Sequence, residues 1–192
     1  MSISNISDDL NENGLPVRAE GENTSAFEAC WNYILKLYSA HGVSDACLLL
    51  QNKANVDVSL LLVVTYFDCR RNFRVKNLAE LDEKISSWRE TAIQPLRNLR
   101  QNLKKILARS SSSITTELYE TIKRSELLAE KAEIETLIHF ADRLPKTVTR
   151  QRSTEAAISD TVAFFANSTD DGRKALLTDE VRQAISVVAV QA

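Results

Sequence analysis

The chain predicts an all-α fold: a helical bundle of about five core helices plus a short helical C-terminal tail. Two observations carry this. The 192 residues hold only four glycines and three prolines, too few turn formers for a strand-rich fold with many tight connections. The longest regular pattern, from Leu78 to Arg109, spaces its apolar residues by alternating steps of three and four: Leu78, Leu81, Ile85, Trp88, Ala92, Leu96, Leu99, Leu103 and Ile106. At ~100° per residue these nine positions fall within an arc of about 80°, one face of a helix.

Taken in order, residues 1–23 read as a disordered acidic leader, with Asp8, Asp9, Glu12, Glu20 and Glu22 against the single base Arg18. Such a composition cannot bury enough apolar surface to offset the entropy of ordering. The bundle domain is expected over 24–144. Ser25 and Glu28 fit a capping box for a first helix that turns Phe27, Cys30, Trp31, Ile34, Leu35 and Tyr38 inward. Gly42 sits where a left-handed C-cap belongs, and Ser44 opens a second helix. Asn55 and Asp57 open a third, DVSLLLVVTYFDCRR, apolar almost all round and therefore the buried centre of the bundle. A buried strand is the alternative for LLLVVTYF; the helical periodicity on either side argues against it.

Pro95 interrupts the 78–109 pattern. An interior proline removes a backbone donor and crowds the preceding turn. The apolar phase runs on from Ala92 to Leu96, so one kinked helix is expected, the alternative being two helices meeting near Gln94. A serine run at 110–113 links it to a helix from about Ile114 to Leu144, ended by Pro145, with Leu118, Ile122, Ala129, Ala132 and Phe140 on its apolar face. Residues 145–192 read as an appended helical tail, weakly packed or serving contacts, with amphipathic segments near 154–166 and 178–190.

Charge is unevenly spread. The net charge is −2, which points to neither nucleic acid nor an anionic membrane. Between Arg70 and Arg109, however, eleven bases face four acids. Arg89, Arg97, Arg100 and Lys104 form a second arc beside the apolar one. On the next helix Glu126, Glu130 and Glu133 recur at about one turn. Carboxylates beside an apolar stripe need partners, and the arginine stripe supplies them. The leading expectation is therefore an internal Arg–Glu network; the rival is a surface for an anion or an acidic partner, with Trp88 beside it.

The histidines, His41 and His139, have no metal-ligand spacing to other candidates. The three cysteines Cys30, Cys47 and Cys69 form no close pair, so free, shielded thiols are expected. Asp57 reads first as a helix cap. No glycine-rich phosphate loop or nucleophile elbow occurs, so no catalytic residue, metal ligand or cofactor is assigned. The basic arc is too narrow, and lacks the aromatic ladder, for nucleic acid. The opening MSISNISDDL has no basic region followed by an apolar run, and the most apolar segment, 58–67, is far short of the ~20 residues a membrane span needs. A cytoplasmic setting follows.

Trp88, Arg89, Pro95, Leu96, Arg97, Arg100, Leu103 and Lys104 resemble the signature W-R-x(5)-P-L-R-x-x-R-x-x-L-K of a proteobacterial family of uncharacterised proteins. WNYILKLYSAHGVSDACLLLQ is similar to that family's opening block, Asp57 with Leu60 to Leu62 to its D-x-x-L-L-L element, and ELLAEKAEIETL to its acidic block. The resemblance covers about residues 26–144; Gln101 departs from it where a second arginine is expected. It implies an all-helical domain and no particular activity. The functional expectation is a non-enzymatic protein-interaction module. The alternatives are a small-molecule or anion-binding regulator using Arg89, Arg97, Arg100 and Lys104, and an enzyme of unknown class.

Overall fold

A computed structural model describes residues 23–71, 73–75, 77–109, 112–144, 146–148 and 153–192. The expected leader, 1–23, lies outside the described residues except for Asn23. The fold is an all-α bundle. Helix α1 spans Asn23–Tyr38, α2 Val43–Ala54 and α3 Val58–Arg71; α4 (Leu78–Trp88) and α5 (Gln94–Leu107) flank a π-helical turn at Arg89–Ile93, and α6 spans Ser113–Ala141. Three helices follow, α7 (Thr154–Ala166), α8 (Asp170–Ala175) and α9 (Asp179–Gln191).

Helix α3 is the centre. Its nine consecutive residues Leu60 to Asp68 are buried, as an all-round apolar helix requires. Asp57 caps it, accepting the Leu60 amide at 2.9 Å on Oδ1. Gly42, at φ +77°, makes the left-handed turn between α1 and α2. Helix α1 already runs from Asn23, so Ser25 is its third residue rather than its cap. Its inner face also sits differently from expectation: Cys30, Tyr33, Ile34 and Leu37 are buried, whereas Leu35 and Tyr38 are exposed. The Cys30, Ile34, Leu37 spacing is the regular helical one, and α1 meets the bundle along it.

The connector after α3 holds a short strand. Phe73–Val75 (β1) pairs antiparallel with Lys146–Val148 (β2), Phe73 opposite Val148 and Val75 opposite Lys146. This small ladder ties the α3–α4 connection to the segment beyond α6.

The C-terminal helices do not pack weakly. Helix α9 lies chiefly on α2, and α7 on α3. Ile158, Val162, Phe165, Val181 and Val188 belong to the same core as α1–α3. Part of the reason lies in α3: a helix buried on every side needs neighbours on every side, and α7 provides one of them, while α9 packs on α2 and α7. Among the described residues no helix is long and apolar enough to cross a membrane.

Candidate functional site

The π turn decides where the basic stripe goes. In an α-helix the amide of residue 95 would bond to the carbonyl of residue 91; Pro95 has no amide hydrogen to give. Upstream the ladder shifts to the wider spacing, and the Gln94 amide donates to the Arg89 carbonyl. A π turn takes one residue more than an α turn, and such single turns recur inside α-helices. The extra residue shifts the phase of the following turns relative to the regular 3.6-residue count, while Leu103 further along stays buried. Ile93 is therefore buried in place of Ala92, while Leu99 and Ile106, expected on the core face, are exposed. Arg97 and Arg100 turn toward α6 instead.

Two charge clusters result. In the outer one, Arg97 Nε donates to Glu126 Oε1 at 3.2 Å and its Nη2 to Glu130 Oε1 at 2.8 Å. Arg100 grips Glu126 with Nε on Oε2 and with Nη2 on Oε1 at 3.1 Å. Glu126 is buried, and burial alone would raise its pKa; the two guanidinium groups outweigh that and hold it below the usual value. Glu130 is held above its usual value, because burial outweighs Arg97 there.

The inner cluster centres on Arg89, the first residue of the π turn. It donates through Nε to Asp57 Oδ2 and through Nη2 to Asp82 Oδ1 at 2.7 Å. Its Nε also lies 3.7 Å from Glu133 Oε1, and its guanidinium sits 5.7 Å from the Phe165 ring centroid, within cation–π range. Residues from the α2–α3 connection, α4, α6 and α7 thus meet at one side chain. One guanidinium faces three carboxylates, and Glu133 is the least satisfied: only 2% of it is exposed and its Oε1 accepts no hydrogen bond among the described residues. Burial first, and then the neighbouring Asp57 carboxylate, push the Glu133 pKa well above its usual value, with Arg89 offsetting only part. Trp88 ties the end of α4 to α6, donating its indole N–H to the Ala129 carbonyl at 3.0 Å.

Of the residues singled out in the sequence, Trp88, Arg89, Arg97, Arg100, Glu126, Glu130 and Glu133 come together between α4–α5 and α6. Lys104 does not join them; it is exposed. Asp57 and Asp82 are the partners sequence reasoning missed. Asp82 lies seven residues before Arg89, two helical turns along the same face, and that spacing was available to find it. Asp57, expected as a cap, does both tasks, one oxygen for each.

Other candidates lie apart. His41 is exposed, and His139 stacks edge-on against Phe140 with ring centroids 5.4 Å apart. Cys30, Cys47 and Cys69 are free thiols; burial pushes Cys30 and Cys47 up to about 12, too high for a reactive thiolate. Among the described residues no group of His, Cys, Asp or Glu is arranged to hold a metal ion.

A second surface feature lies on the hairpin formed by α5 and α6. Leu99, Ile106, Ile114, Leu118, Leu127 and Leu128 are all exposed large hydrophobic residues, with Ile114 at 77% and Leu128 at 66%. Leu118, expected on the inner face of α6, belongs to this group because the inner face there is taken by the residues that meet α5.

Compared with known proteins, residues 29–137 match a family model described as a protein of unknown function (DUF2390). The chain matches no curated protein and no solved structure.

Proposed function

We propose, for a chain that belongs to the DUF2390 family of proteins of unknown function, a role as a non-enzymatic protein-interaction module of the cytoplasm. The observation that carries this reading is the row of exposed hydrophobic side chains along the α5–α6 hairpin. Scattered single leucines need no explanation, but a contiguous apolar surface on a soluble chain marks an interaction site. The arginine stripe supports the same reading from the other side. Arg89, Arg97 and Arg100 are engaged by the chain's own carboxylates, so an external anion would have to displace them. The signature from Trp88 to Lys104, taken here as that of a proteobacterial family, then describes a structural device: a tryptophan, a π turn forced by proline, and arginines that lock the hairpin base to α6.

The test is the size of the species that carries the chain in extracts of its native cells. Wild-type chain is expected to run above its own mass in gel filtration. Leu118→Glu combined with Leu128→Glu should return it to the monomer position without changing its melting temperature. Lys104→Ala with Lys105→Ala should leave the large species intact. A large species that survives the glutamates and vanishes with the two alanines would move the function to the basic side.

A further inference from the structure

We infer that the joint at Arg89 is a proton-operated latch: three carboxylates, from α6, α4 and the start of α3, surround one guanidinium, and one proton held between Glu133 and Asp57 keeps the π turn shut on α6. This device is independent of the interaction surface on the hairpin.

Arg89 cannot serve all three acids. Its Nε carries a single hydrogen, which goes to Asp57 Oδ2. Its Nη2 donates to Asp82 Oδ1 at 2.7 Å. Glu133 Oε1 is left 3.7 Å from Nε, buried and without a donor among the described residues. With every group ionised, three negative charges would face one positive. The Asp82 side chain is 27% exposed and shares its charge with water, but those of Asp57 and Glu133 are at 6% and 2%. A buried carboxylate without a donor costs more than a neutral carboxyl in the same place. Two carboxyl groups in one buried site therefore take up a proton between them, and Glu133 lies beside Asp57 and Ser59. Asp57 has donors on both oxygens, the Leu60 amide and Arg89 Nε. Asp57 is thus the charged member, and Glu133 holds the proton.

The other charges around this part of α6 are engaged elsewhere. Arg97 of α5 is on Glu126 and Glu130. Lys131, turned toward α1, lies over the Phe27 and Trp31 rings, 5.4 and 5.2 Å from their centroids. Lys84 of α4 meets α6 at the Phe140 ring, two turns beyond Glu133. From α7 comes the Phe165 ring, which brings no charge.

The latch acts on an irregular turn. Arg89 opens the π turn Arg89–Ile93, and its carbonyl accepts the Gln94 amide; such turns are rare and recur at functional sites. When pH rises and the proton leaves, Glu133 repels Asp57 and competes with it for the Nε hydrogen. The turn that carries Arg89 then opens locally while the core helices stay folded. Low pH shuts the joint and high pH opens it.

Trp88 is the reporter, because from the last residue of α4 it donates to the Ala129 carbonyl. In Trp31→Phe protein it is the sole tryptophan. Between pH 5 and pH 9 its emission should move to longer wavelength in one transition, with helical circular dichroism unchanged. Over the same range the amides of 89–94, corrected for the pH dependence of intrinsic exchange, should exchange about tenfold faster with deuterium. Glu133→Gln, neutral at every pH, should abolish both changes. Asp57→Asn keeps a side chain able to cap α3 and removes the opposing charge, so the transition should move to lower pH. A Trp88 emission flat from pH 5 to pH 9, a transition that survives Glu133→Gln, or one that coincides with loss of helix would overturn the latch. If Glu133→Gln does not fold, Asp57→Asn decides: a transition that stays in place or moves to higher pH would overturn it.

Discussion

Glu133 is the residue at which the balance of burial and charge is tightest. Its pKa is raised in the folded chain, so the folded state binds a proton that the unfolded state releases at lower pH. Stability contributed by the protonated form is full below the ordinary value near 4.5 and is lost as pH rises toward the raised folded value. Glu130 acts in the same sense. Glu133→Gln keeps the shape and removes the ionisation. Urea melts between pH 4 and pH 8 should therefore show a flatter stability profile for the variant, and higher stability than wild type at the alkaline end. A variant with an unchanged slope would mean that Glu133 is ionised at no cost, held by Arg89 alone. The sequence placed Glu133 beside the arginines, but not inside a cluster with Asp57, Asp82 and Phe165, because no local spacing joins α2–α3, α4, α6 and α7. Only the tertiary fold does that.

At the scale of elements, the linkage of α5 to α6 should behave as one interaction shared by several groups. Arg97→Ala leaves Glu126 buried with one guanidinium fewer and Glu130 with none of its own. It should cost about 2–4 kcal/mol, between an exposed and a fully buried pair, whereas Lys105→Ala should cost under about 0.5 kcal/mol. Arg97→Ala with Glu130→Ala should cost less than the sum of the two, by about 1 kcal/mol, because the pair is lost only once. Equal small effects and additive doubles in denaturant melts would show the network to be idle. Gly172 gives a different test. A Cβ there would sit 2.4 Å from the Ala166 carbonyl oxygen at the end of α7, a backbone atom that cannot swing aside. Gly172→Ala should destabilise by about 1–3 kcal/mol, read as a lower melting temperature; an unchanged one would mean that α8 shifts freely.

The same scale shows what was legible. The helices of 43–71 and 113–141 announced themselves through the Asp57 cap, Gly42 and apolar spacing, although Ser44 lies inside α2 rather than capping it. The phase of α5 did not, because a regular 3.6-residue count was carried through Pro95, and the π turn that accommodates the proline adds one residue to the count. That single residue moves Leu99 and Ile106 from the core to the surface and brings Arg97 and Arg100 onto α6. Proline marked the irregular place correctly; the kind of irregularity is set by which bonds the surrounding turns can rearrange.

For the whole molecule, the C-terminal helices are structural. Phe165 is buried, stacks edge-on with Phe164, and lies beneath the Arg89 guanidinium. Phe165→Ala should cost about 3–5 kcal/mol in a single cooperative transition, and loosened packing confined to residues beyond 152 would contradict a shared core. Short amphipathic segments after a proline looked separable, because nothing local reports that α3 requires covering on a further side. The molecule then divides its labour: a core in which α3 is enclosed, a charged joint at Arg89–Arg100, and a hairpin whose apolar side is left open. The most direct measurement of that division is photo-crosslinking in native cells with a benzophenone amino acid placed at Leu118 or at Lys104. The Leu118 position should yield a cross-linked adduct heavier than the chain and the Lys104 position none; an adduct from Lys104 with none from Leu118 would contradict the account.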